Sequence, residues 1–381
     1  MTAALSPRVA RLGRDLTLPL TAALLVTGIV RLLLSVKASC DLLNCDDFGR
    51  FWYATSEWWA RGTSLYALNP ASVSADGLAY LNLNLPHTHL LFLPFTALPI
   101  GAAAAAWLIA GLVALAASLL VIHRETGWRI TWAWLVVAVW WMPTHVQAVT
   151  GQLAWFLLVP LTLAWAAARH ERWIQAGAWI GLALAVKPFL LPMLVWMLWR
   201  GQLRAVLVSL AVVVAIGCGG LALFGIGQYQ EWREAIAGVQ WYGRPLNASL
   251  WGWIYRALVP NGRTATIADL AGSAQDLSLV SSALVVVVAW IACGRLRSID
   301  DQWSLVLCTS LLICPLGWVY YGCFLLPGWR ARWPGTLATA CWLIPTPWLG
   351  AGQPSPLATV LWGSAASWGL LLIWVRSLRA S

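Results

Sequence analysis

Asp46 and Asp47 stand side by side in the stretch NCDDFGRFWYATSEWW, directly after the first long apolar segment. A carboxylate at such a boundary can serve as a general base, taking the proton of an attacking hydroxyl. Spacing alone equally permits two solvated loop acids, or an N-cap on the aromatic stretch that follows. Lys187, in AVKPFLLP, is a lone charge inside an apolar run. A charge at membrane depth is costly enough to point to an anionic partner, with snorkelling to outer headgroups as the alternative. Arg256 in WGWIYR has the same character and divides between lipid phosphate and substrate phosphate. His87 and His89 of PHTHLL can orient a polar ligand or simply be solvated, and Gln152 can bind a hydroxyl or merely start a helix. Asn247 fits a glycosylation sequon, N-A-S, and also reads as a polar site residue. No spacing of His, Cys and acidic residues suits a metal, and no GxGxxG or GxxxxGK[ST] loop is present. No cofactor is expected, and ATP-driven pumping has no support in this chain.

The elements that must position these residues are membrane spans. The 381 residues are 60% hydrophobic and 10% charged, too few charges to cover a soluble surface. Apolar runs near 20 residues recur from Leu16 to Val375, and they lack the alternation of barrel strands. The expected class is therefore an all-α polytopic membrane protein forming a single domain over residues 1–381. The net charge of +10 reads as positive-inside topology rather than nucleic-acid binding. Arginines cluster between spans at Arg8/Arg11/Arg14, Arg124/Arg129, Arg169/Arg172, Arg200/Arg204, Arg295/Arg297, Arg330/Arg332 and Arg376/Arg379. Holding these inside predicts about twelve crossings, with spans near 16–36, 101–122, 131–149, 152–168, 174–186, 189–199, 204–226, 276–294, 303–314, 318–329, 334–349 and 356–375. Both termini are then cytoplasmic, and the acids face out. Residues 174–199 and 303–329 are read as hairpins, broken at Lys187-Pro188 and at Pro315 to Gly322. The first segment reads as a retained signal anchor rather than a cleaved signal peptide.

Two outer loops carry the polar content, about residues 37–100 and 227–275. In the first, Trp52, Trp58 and Trp59 at helical spacing predict an interfacial helix, and LNLPHTHLLFLPFTALP predicts a re-entrant segment. Cys40 and Cys45 share this loop, where a bracing disulfide is one option.

Taken in order, these motifs resemble glycosyltransferase family 87, polytopic mannosyl- and arabinofuranosyltransferases that use polyprenyl-phosphate sugars. The resemblance runs from about residue 40 to 330: DFGRFWYA, RGTSLY, LPFTALP, TGQLAWFLLVPLTLAW, QAGAWIGLALAVKPFLLP, NASLWGWIYR and CPLGWVYYGCFLLP. It implies a C-superfamily glycosyltransferase fold, an active site on the extracytoplasmic face of the plasma membrane, and a lipid or glycan acceptor. In the last motif Tyr320 stands where many members have His, and a phenol carries no positive charge at neutral pH. Tyr320 and Tyr321 remain expected contacts to substrate.

The resemblance also implies a mechanism. A phosphate leaving group needs no general acid, so one carboxylate suffices where glycosidases need two. Asp47 is the expected base of an inverting displacement, with Asp46 the alternative. Lys187, Arg256, His87, His89, Gln152 and Asn247 are expected to bind substrate. The competing class is a transporter or lipid-linked-sugar flippase, which would also use broken helices and buried charge. No clear internal repeat is present, and the acids lie in a loop, so the enzyme leads.

Overall fold

The computed structural model describes residues 7–72, 80–128, 131–260, 265–329, 336–344 and 355–379. Arg129, Arg263, Arg330, Arg332 and much of the span expected at 334–349 lie outside them. The described elements are helices, α1 (Pro7–Leu43) to α16 (Ala365–Leu378) in chain order, with four short 3-10 segments. An isolated antiparallel bridge joins Asn247 to Trp318.

Four stretches are long and apolar enough to cross a bilayer: Pro19–Leu42 within α1, α3 (Ile100–Thr126), α9 (Leu203–Ala237) and α11 (Ala271–Cys293). The other apolar runs form shorter helices. The run expected to span 131–149 is split into α4 (Trp132–Trp140) and α5 (Met142–Thr150), nine residues each. Trp141 is extended between them (φ −69°, ψ 125°), and Pro143 starts the second helix. At about 1.5 Å per residue, neither crosses the hydrocarbon alone. The stretch 356–375 is likewise divided into α15 (Pro356–Leu361) and α16.

Two helical hairpins build the centre. Helix α7 (Trp173–Val186) ends because Pro188 forces the preceding residue out of helical geometry, and Lys187 is extended (φ −134°, ψ 93°). A 3-10 turn follows at Pro188–Leu190, and α8 (Pro192–Trp199) runs back. Trp196 returns to within 5.5 Å of Trp173, and Arg200 sits over the Trp173 ring. Then α9 climbs beside α7: Gly177 faces the Ala205 backbone and Gly181 the Ser209 backbone, approaches a Cβ would block. The second hairpin pairs α12 (Ile299–Ile313) with the 3-10 segment Val319–Leu325 and α13 (Leu326–Trp329), where Gly328 packs on Ser304. The two tips meet where Phe189 contacts Tyr321 at 4.8 Å.

The segment between α1 and α3 holds the amphipathic helix α2 (Asp46–Arg61), burying Phe48 and Phe51 and leaving Trp59 exposed. The 3-10 segments Pro86–Leu91 and Leu93–Ala97 follow. Trp52 Nε1 donates to the Phe95 carbonyl, and Trp232 Nε1 donates to the Leu83 carbonyl. These bonds tie the loop to itself and to α9.

Candidate active site

The two acids occupy the first turn of α2, where an N-terminal helix dipole favours negative charge. Neither is the cap, which is Cys45. Asn44, Cys45 and Asp46 form a left-handed run (φ 48°, 64° and 50°). Such backbone costs roughly 1–2 kcal/mol per non-glycine residue, strain of the kind that gathers at functional sites. Gly49 is what lets this turn fold back, since a Cβ there would overlap the Asn44 carbonyl oxygen. Gly49→Ala is expected to displace the turn and destabilise the protein by about 2 kcal/mol or more. Thermal unfolding with a transfer assay checks this, and a wild-type profile in both would contradict it.

Asp47 is held at both oxygens. Arg50 Nη1 donates to Oδ1 at 2.5 Å and Gln152 Nε2 donates to Oδ2 at 2.6 Å. Gln152 reaches it because Gly151, left-handed at φ 65°, ends α5 and lets Phe48 pack where a Cβ would stand. Asp46 has a looser contact, 3.7 Å from Arg50 Nη2. Burial, then the neighbouring Asp47 charge, pushes the Asp46 carboxyl up to about 7. Its ionisation therefore opposes folding. The carboxyl is protonated in folded and unfolded chains below pH 3.8, and the stability this leaves is lost as pH rises through about 7. Asp46→Asn is expected to match the wild-type melting temperature at pH 3.5 and exceed it by on the order of a few °C at pH 8. An equal difference at both pH values would contradict the raised carboxyl pKa.

Lys187 lies at the first hairpin tip, opposite these acids. Burial pulls its ammonium down to about 8 while the Asp47 charge acts to raise it. Its Nζ donates to Asn84 Oδ1 at 2.7 Å and stands 5.9 Å from the centre of the Tyr321 ring. The segment carrying Asn84 is pinned by both histidines. His87 Nε2 donates to the Ala185 carbonyl in the last turn of α7, and its Nδ1 meets the Tyr229 hydroxyl at 2.9 Å. His89 is fully buried between Thr55 Oγ1 and Asn82 Nδ2, both at 2.6 Å. Thr55 gives its proton to the Phe51 carbonyl, so His89 Nδ1 donates to Thr55 and Nε2 accepts from Asn82. That neutral tautomer agrees with burial holding His89 down to about 3. Both rings thus fasten the loop and the end of α7.

Tyr320 and Tyr321 are buried at the second hairpin tip, their rings 4.6 Å apart. Arg50 and Arg244 both approach the Tyr80 ring, at 5.5 and 5.0 Å. Arg50, Tyr80, Asn84 and Arg244 escaped the sequence reading. Only the NLN repeat at 82–84, with polar residues inside an apolar stretch, offered a signal for one of them.

Arg256 and Asn247 take other places. Arg256 is fully buried, donating to the Arg244 and Asn247 carbonyls, Ser364 Oγ and Ser367 Oγ. Burial lowers its pKa. Asn247, also fully buried, donates to the Tyr242 and Pro315 carbonyls and accepts from Ser249. Together they lock the loop after α9 onto the second hairpin, where Val319 N donates to the Leu246 carbonyl.

Residues 82–316 match the family described as Glycosyltransferase family 87. The matched range holds Asn84, Gln152 and Lys187 and begins after Asp46 and Asp47. The chain is also similar to the polyprenol-phosphate-mannose-dependent alpha-(1-2)-phosphatidylinositol pentamannoside mannosyltransferase of Mycolicibacterium smegmatis (strain ATCC 700084 / mc(2)155). The two are 24% identical over 251 residues, 64% of this chain and 58% of the relative. The chain therefore aligns with less than two thirds of that relative's length. No solved structure matches.

Proposed function

The chain belongs to glycosyltransferase family 87, and on that premise we propose that it transfers a sugar from a polyprenyl-phosphate carrier to a lipid- or glycan-linked acceptor. The sugar is mannose or a similar hexose or pentose. The related mycobacterial enzyme is dependent on polyprenol-phosphate-mannose. The observation that carries the reading is that the Asp47 charge acts on the half-buried Lys187, with the Tyr321 ring beside that ammonium.

In this reading the acceptor hydroxyl approaches Asp47, which takes its proton as the oxygen attacks the anomeric carbon. The bond from that carbon to the phosphate oxygen breaks, and the electron pair leaves on the phosphate. Lys187 meets the growing negative charge, the kind of electrostatic term that usually dominates catalysis. Direct displacement inverts the anomeric centre. Arg50 and Gln152 keep the Asp47 carboxylate aimed, and Tyr321 shapes the wall beside Lys187.

The reading takes the fold as C-superfamily-like with about twelve passes, the shorter helices pairing to complete crossings, and puts the site on the outer face of the plasma membrane. Thr63 is exposed just beyond α2. Thr63→Cys is expected to react with an impermeant maleimide added to intact cells, over the background of the unsubstituted protein; protection until lysis would put the acids on the wrong side. Mass spectrometry of envelope glycolipids with and without the protein tests the function itself. Loss of one glycosylated lipid, with its precursor accumulating, is the expected result. Unchanged glycolipids with altered export of a lipid carrier would favour a transporter.

A further inference from the structure

Two buried amides in the cluster each spend one end on a charged group, and the charge fixes which end. An ammonium only donates, so the Asn84 atom facing Lys187 is the oxygen, and Nδ2 is the end left over. The Asp47 carboxylate, held between two donors, accepts, so Gln152 turns Nε2 to it and keeps Oε1. Both remaining atoms, Asn84 Nδ2 and Gln152 Oε1, are buried and have no hydrogen-bond partner among the described residues. Asn84 and Gln152 are 2% and 6% exposed. Buried amide groups are rarely left unmet unless something else satisfies them.

The two leftovers have opposite polarity. Beside Lys187 a second donor is offered, which suits the oxygens of an anion. Beside Asp47 a second acceptor is offered, which suits a hydroxyl proton. The rest of Asn84 has its partners: its N–H donates to Asn82 Oδ1, and its carbonyl accepts from the Tyr66 hydroxyl. Holding Lys187 accounts for Oδ1 alone and leaves Nδ2 without a role.

We infer that Asn84 is a phosphate-binding residue of the lipid-linked donor, its Nδ2 donating to a phosphate oxygen while its Oδ1 aims the Lys187 ammonium at the same group. This deepens the function proposed above and rests on it. A hydrogen bond to a charged oxygen on this scale corresponds to about 10- to 100-fold in affinity.

The test is binding of sugar-free polyprenyl phosphate to the full-length protein in nanodiscs, by native mass spectrometry, for wild type, Asn84→Asp and Asn84→Ala. Asn84→Asp keeps an acceptor for Lys187 but removes the donor and adds a negative charge. It is expected to weaken binding by about 10-fold or more, and more than Asn84→Ala does. Where a sugar donor is turned over, the donor KM should rise with the acceptor KM unchanged. If Asn84 only holds Lys187, Asn84→Asp will bind as wild type does while Asn84→Ala is weakened, and that order would overturn the inference. Asn84→Ala, which adds no charge, and a melting curve for each variant separate misfolding from lost contact. Phosphatidic acid is the second probe; equal, Asn84-dependent binding of it would reassign the site to lipid headgroups and overturn the donor assignment. Wild-type protein that binds polyprenyl phosphate but transfers no sugar from its mannosyl, other hexosyl or pentosyl forms would sink the proposed function, while the same binding curves still decide Asn84.

Discussion

Asp47→Asn is expected to lower turnover by about 10²–10⁴-fold, the usual contribution of a general base. Each factor of ten corresponds to about 1.4 kcal/mol of barrier. The substitution preserves size, and the surroundings can absorb it. The oxygen of the new amide still accepts from Arg50, and Gln152 can turn its own oxygen toward the new nitrogen. What disappears is the ability to hold a proton. Donor affinity should change little, since the phosphate meets Lys187. Asp46→Asn should be milder in turnover, because Asp46 contacts Arg50 only at 3.7 Å while Asp47 holds both Arg50 and Gln152. Steady-state kinetics on both purified variants decides. Loss confined to Asp46→Asn would move the base by one residue, and wild-type turnover in both would reduce the pair to structural acids.

Lys187→Ala is expected to raise the donor KM and lower turnover together, each by about 10-fold or more, because in the proposed mechanism the ammonium faces the phosphate in both ground and transition states. The wild-type enzyme should show a matching pH signature. Burial sets this ammonium near 8, so donor affinity should weaken as pH rises through that value and the charge is lost. The variant, lacking the group, should show no such limb. A variant with normal donor KM and an unchanged alkaline limb would remove Lys187 from the site and leave it as a structural plug of the hairpin tip.

How far these residues were legible in the sequence depends on what carries their role. Asp46, Asp47 and Lys187 stood out because a charge beside or inside an apolar run is costly wherever it sits. The break at Lys187 was also local, because Pro188 excludes helical geometry from the residue before it. Hydropathy showed apolar runs but not their interruptions, so extended backbone at Trp141 went unseen and one expected span became two short helices. Arg50, Asn84, Tyr80 and Arg244 gain their roles only through contacts distant in sequence; Asn84 and Lys187 are 103 residues apart. In the sequence, His87, His89, Asn247 and Arg256 are expected ligand contacts because polar residues bordering apolar runs invite that reading. Their partners are largely backbone carbonyls and side chains of neighbouring elements, which become visible only once the loops are folded.

Transfer from a lipid-phosphate sugar by a single carboxylate can be decided in a donor-exchange assay. Purified protein in nanodiscs containing extracted envelope lipids is given radiolabelled mannose, either on polyprenyl phosphate or on a soluble nucleotide. Label is expected to enter a glycolipid from the polyprenyl phosphate alone, with the inverted anomer in the product and with loss of transfer in Asp47→Asn. Transfer from the nucleotide sugar in the absence of any polyprenyl carrier would contradict that expectation.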